Sequence, residues 1–532
     1  MSAAEAETWD AIVVGGGIAG LAAAWELTRA GLRPLLVEAR GYTGGLVAGA
    51  RIAGVRMDLG AEGFVLRGRA VSEAAEALGL EVVGPSGGGA RLLLPPLPDG
   101  GGATGPGHRG DRGTADPDGP WRLHRIPRDC LLGIPADPTA PDVVEILGEA
   151  GARRAAADTD LSGWAGTGPD AAADLASFIT ARMGPAVLDR LVRPIVAGIH
   201  AADPGALAAD TVAPGLREAT AHLGSLRAAV GELLRRRRAR WGGRSMDATT
   251  RGGLVRLTDA LQSAIEADGG SVRTRTGAQS LRPAGSAGDG AARWELTLAP
   301  TGRGPTPSDE PVAVGPAQRV RTDRLILACS AGPARRLLAG AGVETDLSAP
   351  VGSPIARFML VVRAPGLAGA PVGSGLLVAP PAPGRRAPVR AKALSHLSVK
   401  WPWIGRELRA RHGEDVHALR LSYGRPGEPR PEVALGDALA DVEALTGVRI
   451  APDDVVDHML VRWDGTLPPV DAAYRERAAA LVERAESLPG LGLTGAWVAG
   501  TGIAAVVEHA RSRAGRLAGG AGDDADRKGR RS

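Results

Sequence analysis

Two glycine-rich turns stand near opposite ends of the chain, and each opens a helical stretch. The first, "GGGIAG", sets Gly15, Gly17 and Gly20 in G-x-G-x-x-G spacing between the apolar run Asp10 to Val14 and the stretch "LAAAWELTRAG". The first glycine permits a tight turn, the second lets backbone approach a pyrophosphate, and the third lets helix and strand pack closely. The N–H groups of Ile18, Ala19 and Gly20 would then meet an anion at a helix N-terminus, where the dipole favours negative charge. Glu38, followed by Ala39, closes the next apolar run eighteen residues after Gly20. A carboxylate there suits a ribose hydroxyl pair and repels a 2′-phosphate. Taken alone, these residues define a dinucleotide site and leave NAD and FAD open. The second turn, "GTGIAAVV", puts Gly502, Ile503 and Ala504 at the start of another helix.

These turns need a scaffold. A chain of 532 residues suits two or three domains. "DAIVV", the glycine turn, its helix and "RPLLVEA" make one βαβ unit, and "RTDRLILAC" reads as a further parallel strand much later in the chain. The nucleotide domain is therefore expected to be discontinuous, over 8–85, 248–345 and 455–518. Residues 138–247 read as a helical domain. Residues 86–137 and 346–454 carry strands separated by Pro/Gly turns, an antiparallel substrate domain. Within it, the Gly/Pro/Asp-rich stretch 95–120 reads as a disordered insertion, and 519–532 as a disordered tail. The fold class is α/β plus α+β: a Rossmann-like domain interrupted by an antiparallel-sheet domain and a helical one.

Composition narrows the function. The formal charge of +4 does not demand nucleic acid. Two cysteines, Cys130 and Cys329, lie far apart with no Cys/His cluster, so zinc, iron–sulfur and disulfide chemistry are not expected, and no metal is assigned. "MSAAEAET" is acidic and polar, unlike a signal peptide, and the longest weakly apolar stretch, Ala11 to Trp25, is too short to span a bilayer. The run Arg235 to Arg238 reads as a solvated helix end.

Gly44 and Gly45, six residues after Glu38, resemble the second fingerprint of FAD oxidoreductases related to amine oxidases and phytoene desaturases; those carry Arg where this chain has Tyr42. Further stretches resemble the oxygen-dependent porphyrinogen oxidases of haem synthesis: "MDLGAEGFVLR", "HRIPRDCLLGIP", "LVRPIVAGIHAADPGAL", "TRGGLVRLTDAL", "KALSHLSVKWPW", "RWDGTLPPV" and "GTGIAAVV". "KALSHLSVKWPW" is similar to the form found in Gram-positive, particularly actinobacterial, coproporphyrinogen III oxidases. The chain departs from the family at Pro469, Val470 and Tyr474, which stand for Gln, Tyr and His, and at Ile199-His200, which stand for Val-Tyr.

The resemblance implies FAD as cofactor. Gly60, Ala61 and Glu62 would lie over the flavin, Val272 would read adenine through its backbone, and Trp463 would stand nearby. The N–H groups around Gly502, Ile503 and Ala504 would hold the pyrimidine end of the ring. It further implies three two-electron hydride transfers from coproporphyrinogen III to flavin, with O2 as acceptor and H2O2 as product. Product would pass to a ferrochelatase. The protein would be cytoplasmic, soluble or peripherally membrane-associated, and a monomer or homodimer. No residue is assigned as catalytic base. Arg67, Arg69, Arg91, His200, His396 and Lys400 are substrate-site candidates, with His396 and Lys400 expected to share one strand. Protoporphyrinogen IX oxidation is the first alternative; amine or polyene oxidation on the same fold, and a non-catalytic flavoprotein, stand behind it.

Overall fold

The computed structural model describes residues 6–66, 68–86, 88–97, 119–162, 165–168, 171–172, 174–200, 202–241, 246–284, 293–305, 309–347, 352–382, 384–425, 427–466, 472–500 and 502–529. Arg67, Pro469, Val470 and most of the 95–120 insertion lie outside them, as does the side chain of His200.

Four short apolar runs and the edge strand Ser271–Arg273 form one parallel sheet in the order Ser271–Arg273, Pro34–Val37, Ala11–Val14, Leu325–Leu327, Leu491–Leu493. These runs come from three distant parts of the chain. Their near-continuous apolar character follows from burial on both faces. Ile12, Val14, Leu35, Val37, Leu325 and Leu327 pack on a neighbouring sheet built from Thr276–Pro283, Trp294–Gly302, Gln318–Thr322 and Glu7–Trp9. Val13, Leu36 and Ile326 face the helices Ile18–Arg29, Val255–Ala267 and Ile503–Gly529. The first and last of these helices, each opened by one of the glycine turns, share that core through Leu21, Ala22, Ala504 and Val507. The last runs on to Gly529, past the residue where the sequence places an unstructured tail.

A second, seven-stranded sheet has the order Val455–Thr466, Ser353–Arg363, Val416–Tyr423, Ala393–His396, Gly375–Val378, Ala90–Leu94, Arg122–Arg125. Its pairs are antiparallel except Gly375–Val378 with Ala90–Leu94, which is parallel. The first strand corrects the sequence partition, which gives residues from 455 onward to the nucleotide domain. Val455–Thr466 pairs along Ser353–Arg363 because Met459, Val461 and Trp463 have an apolar face to cover there.

Side chains alternate across this sheet. Ala356, Phe358, Leu360, Leu419, Leu421 and Leu394 bury one face under the helix Leu435–Thr446. Met359, Val361 and Ala418 face the other way, toward the hairpin Gly49–Ile52 and Val55–Asp58, which continues from the nucleotide turns.

The helical block packs Phe178, Ile179, Leu191, Val192 and Val230 against Leu92 and Leu94 of the seven-stranded sheet. A fully buried ion pair ties it together. Arg182 Nε donates to Asp158 Oδ1 at 2.6 Å, and its other nitrogens reach the carbonyls of Ser162, Asp158 and Gly224. Asp158 Oδ2 accepts from Ser225 Oγ and Arg227 N. In the basic run, Arg235 and Arg236 pair with Glu232, and Arg238 with Asp129. Among the described residues, no helix is long and apolar enough to cross a membrane.

Candidate active site

The helix Ile18–Arg29 begins at the carboxyl edge of the parallel sheet, directly after Ala11–Val14. Open α/β sheets bind ligands at that edge. Gly15 adopts φ +110°, and a Cβ on Gly20 would stand 1.8 Å from the Gly15 carbonyl oxygen, so no larger residue fits there. The helix N-cap, Gly17, supplies no capping side chain, and Ile18, Ala19 and Gly20 are buried. A buried helix start with uncapped N–H groups calls for an anion. Space is open where a Gly17 side chain would project.

Gly44 donates its N–H to the Gly16 carbonyl at 2.8 Å, and Gly17 and Gly44 form a parallel bridge. The second glycine pair therefore lies on the first turn. Glu38 Oε2 accepts from Gly16 N and Oε1 from Arg40 N, each at 2.7 Å, which fixes the carboxylate beside the turn. Val272 pairs with Leu36 on the edge strand. The helix Ile503–Gly529 adds a second N-terminus, where Gly502 accepts from Val506 and no side chain crowds the glycine. Uncapped N–H groups, open glycines and a ribose-length acid fit an extended dinucleotide such as FAD.

Above this cradle runs the segment Gly60–Phe64. Trp463 lies against Gly60, within 3.5 Å of where its Cβ would be. Glu62 is the centre of a buried ionic cluster. Its Oε1 accepts from Lys400 Nζ at 2.5 Å, and its Oε2 stands 3.0 Å from Arg420 Nη2. Arg420 Nη1 donates to the Gly60 carbonyl at 3.1 Å. Burial alone would raise the Glu62 carboxyl, but Arg420 and then Lys400 outweigh it and hold it down at about 2. Arg357 adds a third positive charge. Burial, and then repulsion from Arg420, lower its guanidinium to about 9. Asp58, nearby, accepts from Leu254 N and Val255 N and so caps the helix Val255–Ala267.

The six substrate-site candidates part company here. Lys400 reaches the cluster. His396 does not, and the shared-strand expectation is corrected: the strand ends at His396, and Lys400 lies in the following helical turn Leu397–Lys400. The break comes where the chain must turn before Pro402. His396 sits on the opposite sheet face, its Nε2 3.2 Å from His417 Nδ1. Burial, and then His417, push it down to about 4. Arg91 falls on that same far face, paired in register with Leu376, because Leu92 takes the near side. Arg69 is exposed and pairs with Glu73 one helical turn on. Trp401 and Trp403 are core residues, and Tyr474 is buried on the far side of the parallel sheet. The sequence reading missed Arg357 and Arg420. The available signal was strand parity, since each is a charge inside a mainly apolar strand, "IARFMLVVR" and "HALRLSYGR".

A parallel sheet carrying two glycine-opened helices at one edge, roofed by a second sheet, defines a flavin-dependent oxidoreductase. Residues 18–350 match the family described as flavin containing amine oxidoreductase, and the chain belongs to it. The family is flavin-containing, and the cofactor is FAD. The chain is 27% identical over 506 residues to a protein of Mycobacterium bovis named coproporphyrinogen III oxidase, covering 93% of this chain and 94% of that one. It is 26% identical to one of the same name from Propionibacterium freudenreichii, covering 94% and 89%. Among solved structures, a protein of Exiguobacterium provisionally named protoporphyrinogen oxidase shares the fold, with a TM-score of 0.69 at 22% identity over 97% of this chain and 99% of that one. The cyclohexylamine oxidase of Brevibacterium oxydans shares it at a TM-score of 0.57 and 17% identity, over 96% and 98%.

Proposed function

We propose that the protein oxidises coproporphyrinogen III to coproporphyrin III with FAD, O2 serving as final acceptor and H2O2 leaving as co-product. The observation that carries this reading is the end-to-end likeness, over 93% of the chain, to relatives of that name. The site supports it: three cations around one carboxylate suit a polycarboxylate and repel an ammonium substrate, which weighs against amine oxidation.

Bound FAD supplies hydride-accepting chemistry, used three times to remove six hydrogens from the macrocycle. The chain's residues bind and orient. The N–H groups of Ile18, Ala19 and Gly20 receive the pyrophosphate, Glu38 the ribose hydroxyls, and the Val272 backbone the adenine. Those of Ile503 and Ala504 face the pyrimidine end, where the helix dipole favours negative charge. Lys400 and Arg420 hold Glu62, and with it the Gly60–Phe64 segment, which would lie over the ring. Glu62, at about 2, is too weak a base for pyrrole protons, which leave instead to solvent or to the substrate's own carboxylates. By the same reading the protein works in the cytoplasm, soluble or peripherally bound to membrane, and passes its product to an iron-inserting ferrochelatase.

The test is porphyrin fluorescence under air, with FAD-loaded protein and either coproporphyrinogen III or protoporphyrinogen IX. Faster turnover of the first, with H2O2 appearing, is expected. A preference for the second overturns the substrate assignment, and activity on neither overturns the reading.

A further inference from the structure

The near face of the seven-stranded sheet opens on a recess in its middle. Arg357, Ala393, Ser395 and Leu377 are half-buried there, whereas their neighbours on the far face, Phe358, Leu394 and Leu376, are fully buried. These near-face residues are contiguous in register: Arg357 opposes Ser422, Ser422 opposes Ala393, and Ala393 opposes Leu377. Val461, half-buried, opposes Arg357 on its other side. The helix Arg193–His200 closes one end, with Leu377 packed at Gly198.

The charge in this recess does not balance. Glu62 Oε1 accepts from Lys400, while its Oε2 is ion-paired with Arg420 at 3.0 Å without a hydrogen bond. Arg420 Nε is buried without a hydrogen-bond partner. Arg357 has no hydrogen bond or ion pair to any described residue, and the fourth cation near it, Lys392, donates to the Gly424 carbonyl at 2.5 Å. A guanidinium enclosed this deeply, with its own atoms still accessible, the attraction of Glu62 shared with two other cations and no hydrogen-bond acceptor among the described residues, is costly unless an anion completes it. Arg420, in hydrogen-bond contact with Gly60, places the recess beside the segment that, on the reading above, would roof the flavin.

We propose that Arg357 is the anchor for one carboxylate of the macrocycle and the residue that sets preference for a tetracarboxylate over a dicarboxylate porphyrinogen. This rests on the porphyrinogen reading above. A ring with a propionate on every pyrrole presents one to Arg357 in each in-plane orientation. A ring in which two of the four are vinyl groups does so only in some, and otherwise leaves the guanidinium buried and unpaired. A fork-shaped donor matched to a carboxylate is the group such a site requires.

The test uses the FAD-loaded enzyme and its Arg357→Met and Arg357→Lys variants, with flavin absorbance confirming that each holds cofactor. In Arg357→Met, the ratio of kcat/KM for coproporphyrinogen III over protoporphyrinogen IX is expected to fall by at least about tenfold, mainly through KM for the first. Arg357→Lys should recover part of it. Without turnover, fluorescence titration should show wild type binding coproporphyrin III more tightly than its tetramethyl ester, and Arg357→Met losing that difference. If wild type oxidises coproporphyrinogen and Arg357→Met keeps both the ratio and the acid-over-ester preference, the anchor assignment is wrong while the function stands. If wild type oxidises neither porphyrinogen, the function falls and the anchor with it.

Discussion

Glu62→Gln is the sharpest perturbation of the site. It leaves side-chain size nearly unchanged but turns one acceptor oxygen into an amide donor facing a cation and removes the negative charge that Arg420, Lys400 and Arg357 surround. In the native protein the carboxyl is held at about 2, against an ordinary value of 4.5. That displacement corresponds to on the order of 3 kcal/mol of preference for the charged form. Removing one partner of a buried ion pair costs about 3–5 kcal/mol, because the remaining charges stay buried and uncompensated. The variant should therefore unfold at distinctly lower urea, with release of FAD, followed by flavin fluorescence, preceding or accompanying it. The pH dependence adds a second signature. A carboxyl whose folded pKa lies below its unfolded one stabilises fully above pH 4.5 and loses that contribution as pH falls toward 2. Wild type should lose Glu62's share of stability across that window, and Glu62→Gln should lack that component. The additional variant Lys400→Met, combined with Glu62→Gln, should cost less than the two changes summed, with coupling of about 1–3 kcal/mol. Stability of Glu62→Gln within about 1 kcal/mol of wild type, with an unchanged acid profile, would refute the charge argument.

Three further outcomes follow from the geometry. Gly20→Ala drives a Cβ to 1.8 Å from the Gly15 carbonyl, so the protein should purify without the 450 nm flavin band or fail to fold, as absorbance and circular dichroism would show. Glu38→Ala removes the acceptor for Gly16 N and Arg40 N and, on the proposed reading, the acid that meets the ribose; FAD affinity should fall at least about tenfold by equilibrium dialysis. Asp158→Ala leaves the fully buried Arg182 unpaired, and should cost about 3–5 kcal/mol and open the helical block to limited proteolysis before the nucleotide domain.

The glycine turn and the acid beside it were legible because their signals are local. Gly15, Gly17, Gly20 and Glu38 sit in one βαβ unit, where turn sterics and helix polarity dictate residue type at fixed spacing. The place of Gly44 was also readable, as it lies only a few residues further on. The substrate half was not, and the reason is sheet parity. Whether Arg91, His396 or Arg357 shares the face of the Glu62 cluster depends on which residue of each strand begins the alternation, and that is settled by pairing among the seven strands of the sheet. A one-residue change of phase moves a side chain to the opposite face. Hence His396 and Arg91, chosen from motif-like stretches, face away, while Arg357 and Arg420, in plain apolar strands, face in. The same logic suggests where a polar anchor is to be sought when no motif names it. Inside a mainly apolar strand, a buried charge survives only where a partner or a ligand offsets its burial. Arg420 has that partner in Glu62. Arg357 has no hydrogen-bonded or ion-paired partner among the described residues and only a shared attraction to Glu62, which is why its partner is argued to arrive with the substrate.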